Sequence, residues 1–165
     1  MKSAPCSDDT DLRHRLAGAR RVAVVGIGDE DSPVDRLGMV AARELARSAI
    51  PGVRVFFAGT VPESMTGPLR EFHPDHVLFL DAADMGNPPG TVAVIDPERI
   101  SAGQVSTHAL PLSVVMEFIA EDTGAKVTLV GIQPEMGPGG MSGECEEILY
   151  RNIGELEGIL RNVCG

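Results

Sequence analysis

The chain has 165 residues, enough for one domain with a substantial core, and carries 14 basic against 24 acidic side chains, a net charge of −10. This acidic balance, without a basic stripe interleaved with aromatic residues, argues against nucleic acid and anionic membranes as partners. The three cysteines show no C-x-x-C spacing, which argues against a disulfide framework and a zinc knuckle. Neither a leader-like apolar segment nor an apolar run of about 18 residues is present, so we expect a soluble cytoplasmic protein.

Short β-branched runs alternate with helix-period segments along the chain. The runs that predict strands are, in order, RRVAVVGIG, VRVFFAG, HVLFLD, TVAVID and KVTLVG. Apolar residues spaced by three and four predict helices beginning near Leu37 and Leu112, and a long C-terminal helix from Cys145 to Val163. This alternation predicts a single domain, residues 1–165, with three α/β/α layers around a five-stranded, mostly parallel sheet. About the first ten residues are expected to fray.

The connection between the third and fourth predicted strands breaks the alternation. Residues 81–91 are rich in Gly and Pro and poor in helix-forming residues. A parallel neighbour would need a right-handed crossover of a dozen or more residues, usually a helix. We therefore expect the fourth strand, TVAVID, to run antiparallel to the others.

Metal-ligating residue types follow three of the predicted strands. Asp35 follows the first strand, Asp81 ends the third and His108 follows the fourth. In a parallel α/β sheet, loops at the carboxyl ends of strands form the functional crevice. Two carboxylates and one imidazole leave open coordination positions and suit Zn, Mn, Fe or Ni better than Ca or Mg. The sequence therefore predicts a metal site at this edge, with an acid among residues 29–31 as an alternative to Asp35.

Each candidate also has a structural interpretation. Asp35 precedes a helix and its carboxylate could cap free N–H groups. Asp81 and Asp84 could each organise an Asx-turn, and His108 could satisfy a loop carbonyl. Convergence of the candidates on one edge of the predicted sheet favours the site.

Gly26 and Gly28 after the first strand raise the alternative of a dinucleotide site. The third glycine of G-x-G-x-x-G is replaced by Asp31, and the acidic residues 29–31 would repel pyrophosphate. A G-x-S-x-G nucleophile elbow is absent from the sequence. Nucleotide binding and esterase chemistry are both disfavoured.

Five stretches that contain these loops carry a family resemblance: VVGIGDEDSPVDRLG, FAGTVPES, LFLDAADMGNPPGTVAVIDP, STHALPL and LVGIQPE. They resemble the endopeptidases that mature [NiFe]-hydrogenase large subunits, most closely the hydrogenase 3 type. The resemblance implies a five-stranded mixed sheet with the fourth strand reversed. It also implies that Asp35, Asp81 and His108 are the catalytic, metal-binding residues. The implied metal is nickel supplied by the large-subunit precursor, from which the enzyme removes a C-terminal extension.

The loop after the first strand departs from the family pattern of two consecutive acids followed by Gly-x-Gly. Here Val34 stands in place of the first acid and Arg36 in place of the first glycine, while Asp35 retains the second acid. An acid among residues 29–31 is therefore a possible substitute ligand, and a chaperone-like module that docks on nickel-loaded precursor without cutting it is the contrasting hypothesis. Asp84 is predicted to organise the loop after the third strand.

Overall fold

The computed structural model of the protein describes residues 9–101, 103, 106–107 and 112–165. The strands are β1 (Val22–Ile27), β2 (Val53–Gly59), β3 (His76–Asp84), β4 (Val92–Ile95), β5 (Ser106–Thr107) and β6 (Lys126–Ile132). The helices are α1 (Asp9–Leu16), α2 (Leu37–Arg47), α3 (Thr66–Phe72), α4 (Pro97–Ser101), α5 (Leu112–Thr123) and α6 (Gly143–Cys164), with a 3₁₀ turn at Pro62–Met65. None of the helices in these described ranges is long and apolar enough to cross a lipid bilayer.

The main sheet has the strand order β2-β1-β3-β6-β4. β1 pairs in parallel with β2 and β3, and β3 pairs in parallel with β6. β4 runs antiparallel to β6, which confirms the reversed fourth strand expected from the short connection after β3. The two-residue β5 pairs antiparallel with the last residues of β3.

Helices cover both faces of the sheet, which confirms the three-layer architecture. On one face the strands pack with α1, α2 and α6, and on the other with α3 and α5. Leu78 and Leu80 of β3 belong to the first cluster, whereas Val77 and Phe79 belong to the second. Because successive side chains point to opposite faces and both faces are covered, the central strands are continuous apolar runs.

Glycines allow α2 to approach the carboxyl ends of β1 and β3 closely. A Cβ on Gly38, in the first turn of α2, would overlap the carbonyl oxygens of Ile27 and Leu80. A Cβ on Gly26 of β1 would lie 2.6 Å from Cβ of Ala42 on α2. The glycine at position 26 therefore serves the packing of α2 against β1.

The structure extends the prediction at several places. β3 continues three residues beyond Asp81, where β5 supplies a pairing partner. α1 was not predicted, yet its Leu12 and Leu16 are buried in the core beside α6. The expected fraying of about the first ten residues falls mainly on residues 1–8, which lie outside the described ranges.

Candidate active site at the carboxyl edge of the sheet

Asp81 lies inside the sheet, near its carboxyl edge. It pairs in register with Gly131 of β6, and its side chain is only 2% exposed. Among the described residues its Oδ2 atom has no hydrogen-bond partner, although the atom is buried. The interpretation of Asp81 as a turn-forming residue is wrong, because its backbone belongs to the β3 ladder. A buried carboxylate oxygen without a partner is costly and calls for a specific explanation such as an ion.

Asp35 is held beside the sheet by the loop between β1 and α2. Its backbone N–H donates to Ser32 Oγ at 3.3 Å, and its carbonyl oxygen packs so closely on Gly28 that a Cβ there would overlap it. Gly28 has φ +143°, a conformation that side-chain-bearing residues rarely adopt. The N-cap of α2 is Arg36, whose side chain makes no capping hydrogen bond. Asp35 therefore precedes the cap position, and its Oδ1 atom is buried.

The two carboxyl groups influence each other electrostatically. The pKa of Asp81 is raised from 3.8 to about 7, chiefly by burial; a hydrogen bond from the backbone N–H of Ala82 lowers it, and the negative charge of Asp35 contributes to the rise. Such a shift is typical of two acids that share one desolvated site. A cation between them would relieve the repulsion, and a carboxyl group that titrates near neutrality can also move protons at pH 7. The structure thus brings together two of the three residues that the sequence analysis selected.

The third candidate, His108, lies outside the described residues and stays a prediction. The chain just before it is described: Thr107 pairs with Ala83 and Ser106 with Asp84, both in β3. Within the described ranges, no group of three His, Cys, Asp or Glu side chains assembles to hold a metal. The described part of the site therefore consists of the two carboxylates.

Two of the acids proposed as substitutes for Asp35 make other interactions. Asp29 Oδ1 accepts a hydrogen bond of 2.9 Å from the backbone N–H of Asp31, and Glu30 forms an ion pair with Arg43. The side chains of residues 29–31 are exposed. Their exposure distinguishes them from Asp35, which is partly buried beside Asp81.

Two polar residues hold the loop after β3, one that the sequence analysis predicted and one that it missed. Asp84 Oδ1 accepts a hydrogen bond of 3.2 Å from the backbone N–H of Gly86, so the prediction of a loop-organising role is confirmed. Gln133, directly after β6, is only 4% exposed and accepts a hydrogen bond of 2.7 Å from the backbone N–H of Met85. A polar residue directly after a buried strand, in GIQPE, was the available sequence indication of this role.

Comparison with known proteins identifies the family. A family model described as hydrogenase maturation protease matches residues 39–160, a range that includes Asp81 and His108 and begins after Asp35. The hydrogenase 3 maturation protease of Escherichia coli is 32% identical over 111 residues, which cover 67% of this chain and 70% of that protein. A candidate hydrogenase maturation protease of Methanocaldococcus jannaschii is 31% identical over 133 residues, 76% of this chain and 79% of that protein.

A solved structure supports the same assignment at the level of the fold. The [NiFe] hydrogenase maturation protease HycI from Thermococcus kodakarensis superimposes with a TM-score of 0.79 at 32% identity, covering 92% of this chain and 99% of that one. The strand order, the buried Asp81 near the carboxyl end of β3 and these similarities lead to one assignment. The chain belongs to the hydrogenase maturation protease family and is a hydrolase of peptide bonds.

Proposed function

We propose that this protein cleaves the C-terminal extension from a nickel-loaded [NiFe]-hydrogenase large-subunit precursor. Asp35, Asp81 and His108 would receive the precursor's nickel. In this proposal nickel arrives as part of the substrate, and the endopeptidase uses it to recognise a precursor that is ready for cutting.

The observation that carries the proposal is the buried Oδ2 atom of Asp81, which lacks a partner among the described residues and lies near a second acid, Asp35. Oxygen donors with vacant coordination positions suit a divalent metal, and the Irving–Williams order favours nickel over manganese, iron and cobalt. The pairing of Thr107, the neighbour of His108 in the chain, with Ala83 of β3 further supports His108 as the third donor. Asp81 lies two residues before Ala83 on that strand.

Hydrolysis requires a water oxygen to attack the scissile carbonyl carbon, while the water's proton is taken up and a proton reaches the leaving nitrogen. Nickel held between enzyme and precursor would polarise that carbonyl. Asp81 contributes through Oδ2 in one of two ways. It can ligate as a carboxylate, or it can accept the water's proton and pass it to the leaving nitrogen.

Incubation of the purified protein with nickel-loaded precursor tests the activity, with the shortened large subunit detected by mass spectrometry. We expect cutting by the wild type, and its loss in Asp81→Asn and His108→Ala while circular dichroism stays unchanged. Asp96→Asn is the matched control, because Asp96 also follows a strand but stands at the opposite edge, since β4 is reversed. Normal processing by both site variants would refute the ligand assignment.

A docking module that binds precursor without cutting it is the second candidate. The observation that favours it is the altered loop around Asp35, together with a family match that begins only at Met39. Under this hypothesis the wild type would co-purify with nickel-loaded precursor and leave its length unchanged. Nickel-free precursor is the control for both candidates, because each predicts that recognition requires the metal.

A further inference from the structure

The end of β3 projects beyond its neighbour β6. The β6 ladder stops at Ile132, which pairs with Ala82, whereas β3 continues to Asp84. Gln133 follows Ile132 directly and is buried. The Gln133 side chain therefore lies beside the part of β3 that extends beyond its backbone pairing with β6.

The carboxamide of Gln133 holds this projecting segment at several points. Its Oε1 atom accepts hydrogen bonds from the backbone N–H groups of Met85 at 2.7 Å and Asn87 at 3.3 Å. Its Nε2 atom donates to Asp84 Oδ1 and to the carbonyl oxygen of Pro134, both at 3.3 Å. Both ends of the amide are therefore used, which fixes its orientation.

The backbone of Gln133 anchors the carboxamide itself. Its N–H donates to the carbonyl oxygen of Thr91, and its carbonyl oxygen accepts from the N–H of Gly90, both at 2.9 Å. Gln133 thus connects the start and the end of the turn that joins β3 to β4. Removing the side chain would release the start of that turn and leave the backbone anchor in place.

The projecting segment also pairs with β5. Ala83 pairs with Thr107 and Asp84 pairs with Ser106, in the chain that leads directly to His108. Asp81, by contrast, is fixed within the main ladder opposite Gly131. The segment that Gln133 holds therefore links the fixed carboxylate to the chain carrying His108.

We propose that Gln133 is a positioning residue, which sets the placement of the β5 chain relative to Asp81 by holding residues 84–87 through its carboxamide. This inference rests on the proposed function, since it assigns the held geometry to metal-dependent cutting. Gln133 itself touches neither substrate nor metal in this scheme. A displacement of about 1 Å in a reactive group can lower a rate about a hundredfold. Loss of the hydrogen bonds from Gln133 should therefore lower turnover more than it weakens precursor binding.

Gln133→Met tests the proposal, because methionine keeps the length and volume of the side chain and removes its donors and acceptor. We expect kcat for nickel-loaded precursor to fall at least about tenfold, while KM changes less than about twofold.

Asn152→Leu is the matched control for lost stability. Asn152 is a buried amide on α6 whose Nδ2 atom donates to the carbonyl oxygen of Gly90 at 2.9 Å, at the far end of the same turn. We expect Asn152→Leu to lower the free energy of unfolding without lowering kcat. An equal fall of kcat in Asn152→Leu would overturn the proposal, because it would indicate general loosening.

Amide hydrogen exchange gives a measurement that does not depend on processing. The N–H groups of Met85 and Asn87 should exchange faster in Gln133→Met, while that of Phe79, which is paired with strands on both sides, should not. Faster exchange with an unchanged kcat would refute the positioning role, and so would unchanged exchange at Met85 and Asn87. A wild-type protein that leaves precursor uncut would refute the proposed function instead. Amide exchange would then still test whether Gln133 holds Met85 and Asn87.

Discussion

The burial of Asp81 predicts that the contribution of this residue to folding stability falls as the pH rises. The pKa of this carboxyl is about 7 in the folded protein, against an ordinary value of 3.8. Because the folded pKa is the higher one, the folded state binds the proton more tightly between these values. Its stabilising contribution is complete below pH 3.8 and is lost as the pH rises through 7. At about 1.4 kcal/mol per pH unit, the loss between about pH 5 and about pH 8 is about 3 kcal/mol.

Urea unfolding of metal-free protein measures this contribution. Asp81→Asn removes the titrating group, so the difference in unfolding free energy between wild type and variant separates Asp81 from all other carboxyl groups. We expect this difference to fall by about 3 kcal/mol from about pH 5 to about pH 8 and to level off above that. Asp96→Asn, at an exposed position, is the control for the substitution itself. A wild-type minus Asp81→Asn difference that stays flat with pH would show that the carboxyl is solvated, and the argument for a desolvated site would fail.

Further predictions concern the core and the helices. Burial lowers the pKa of His76 from 6.5 to about 4. Its stabilising contribution is therefore present above pH 6.5 and is lost as the pH falls toward 4. Relative to His76→Gln, the unfolding free energy of the wild type should fall by about 2 kcal/mol from about pH 7.5 to about pH 5. The exposed His14→Gln is the comparison, and an equal pH dependence there would contradict the burial argument. Gly38→Ala should lower the free energy of unfolding in urea by about 2 kcal/mol or more, because the added Cβ would overlap two strand carbonyl oxygens. A gain in stability from Gly38→Ala would show that α2 does not approach the sheet as closely as described. Gly154→Ala should raise the free energy of unfolding by up to about 1 kcal/mol, because Gly154 is exposed on α6 and nothing lies within 4 Å of the added Cβ.

The strands and the long helices were predictable because their patterns are local. β1, β3 and β4 are buried along nearly their whole length, and such strands become continuous apolar runs bounded by Gly or Asp. α3 was not predicted, because Gly67 and Pro68 interrupt a helix of seven residues. β5 has two residues, too few to show any period.

The candidate site was only partly predictable. Asp35 and Asp81 could be selected because the loops at the carboxyl ends of parallel strands meet at one edge. The close packing of α2 on the sheet holds the Asp35 loop at this edge. That packing depends on Gly38 and on the order of β1 and β3 in the sheet. Gln133 makes its hydrogen bonds to a turn 46 and 48 residues away in the chain, a relation that no local pattern carries.

By itself, the sequence determined where the buried strands lie and that the fourth strand reverses, because periodicity and connection length are properties of neighbouring residues. Only the tertiary structure decided that Asp81 is desolvated beside Asp35 and that Gln133 holds the end of β3. These properties arise from strand order and from the close packing of α2, which join residues far apart in the chain.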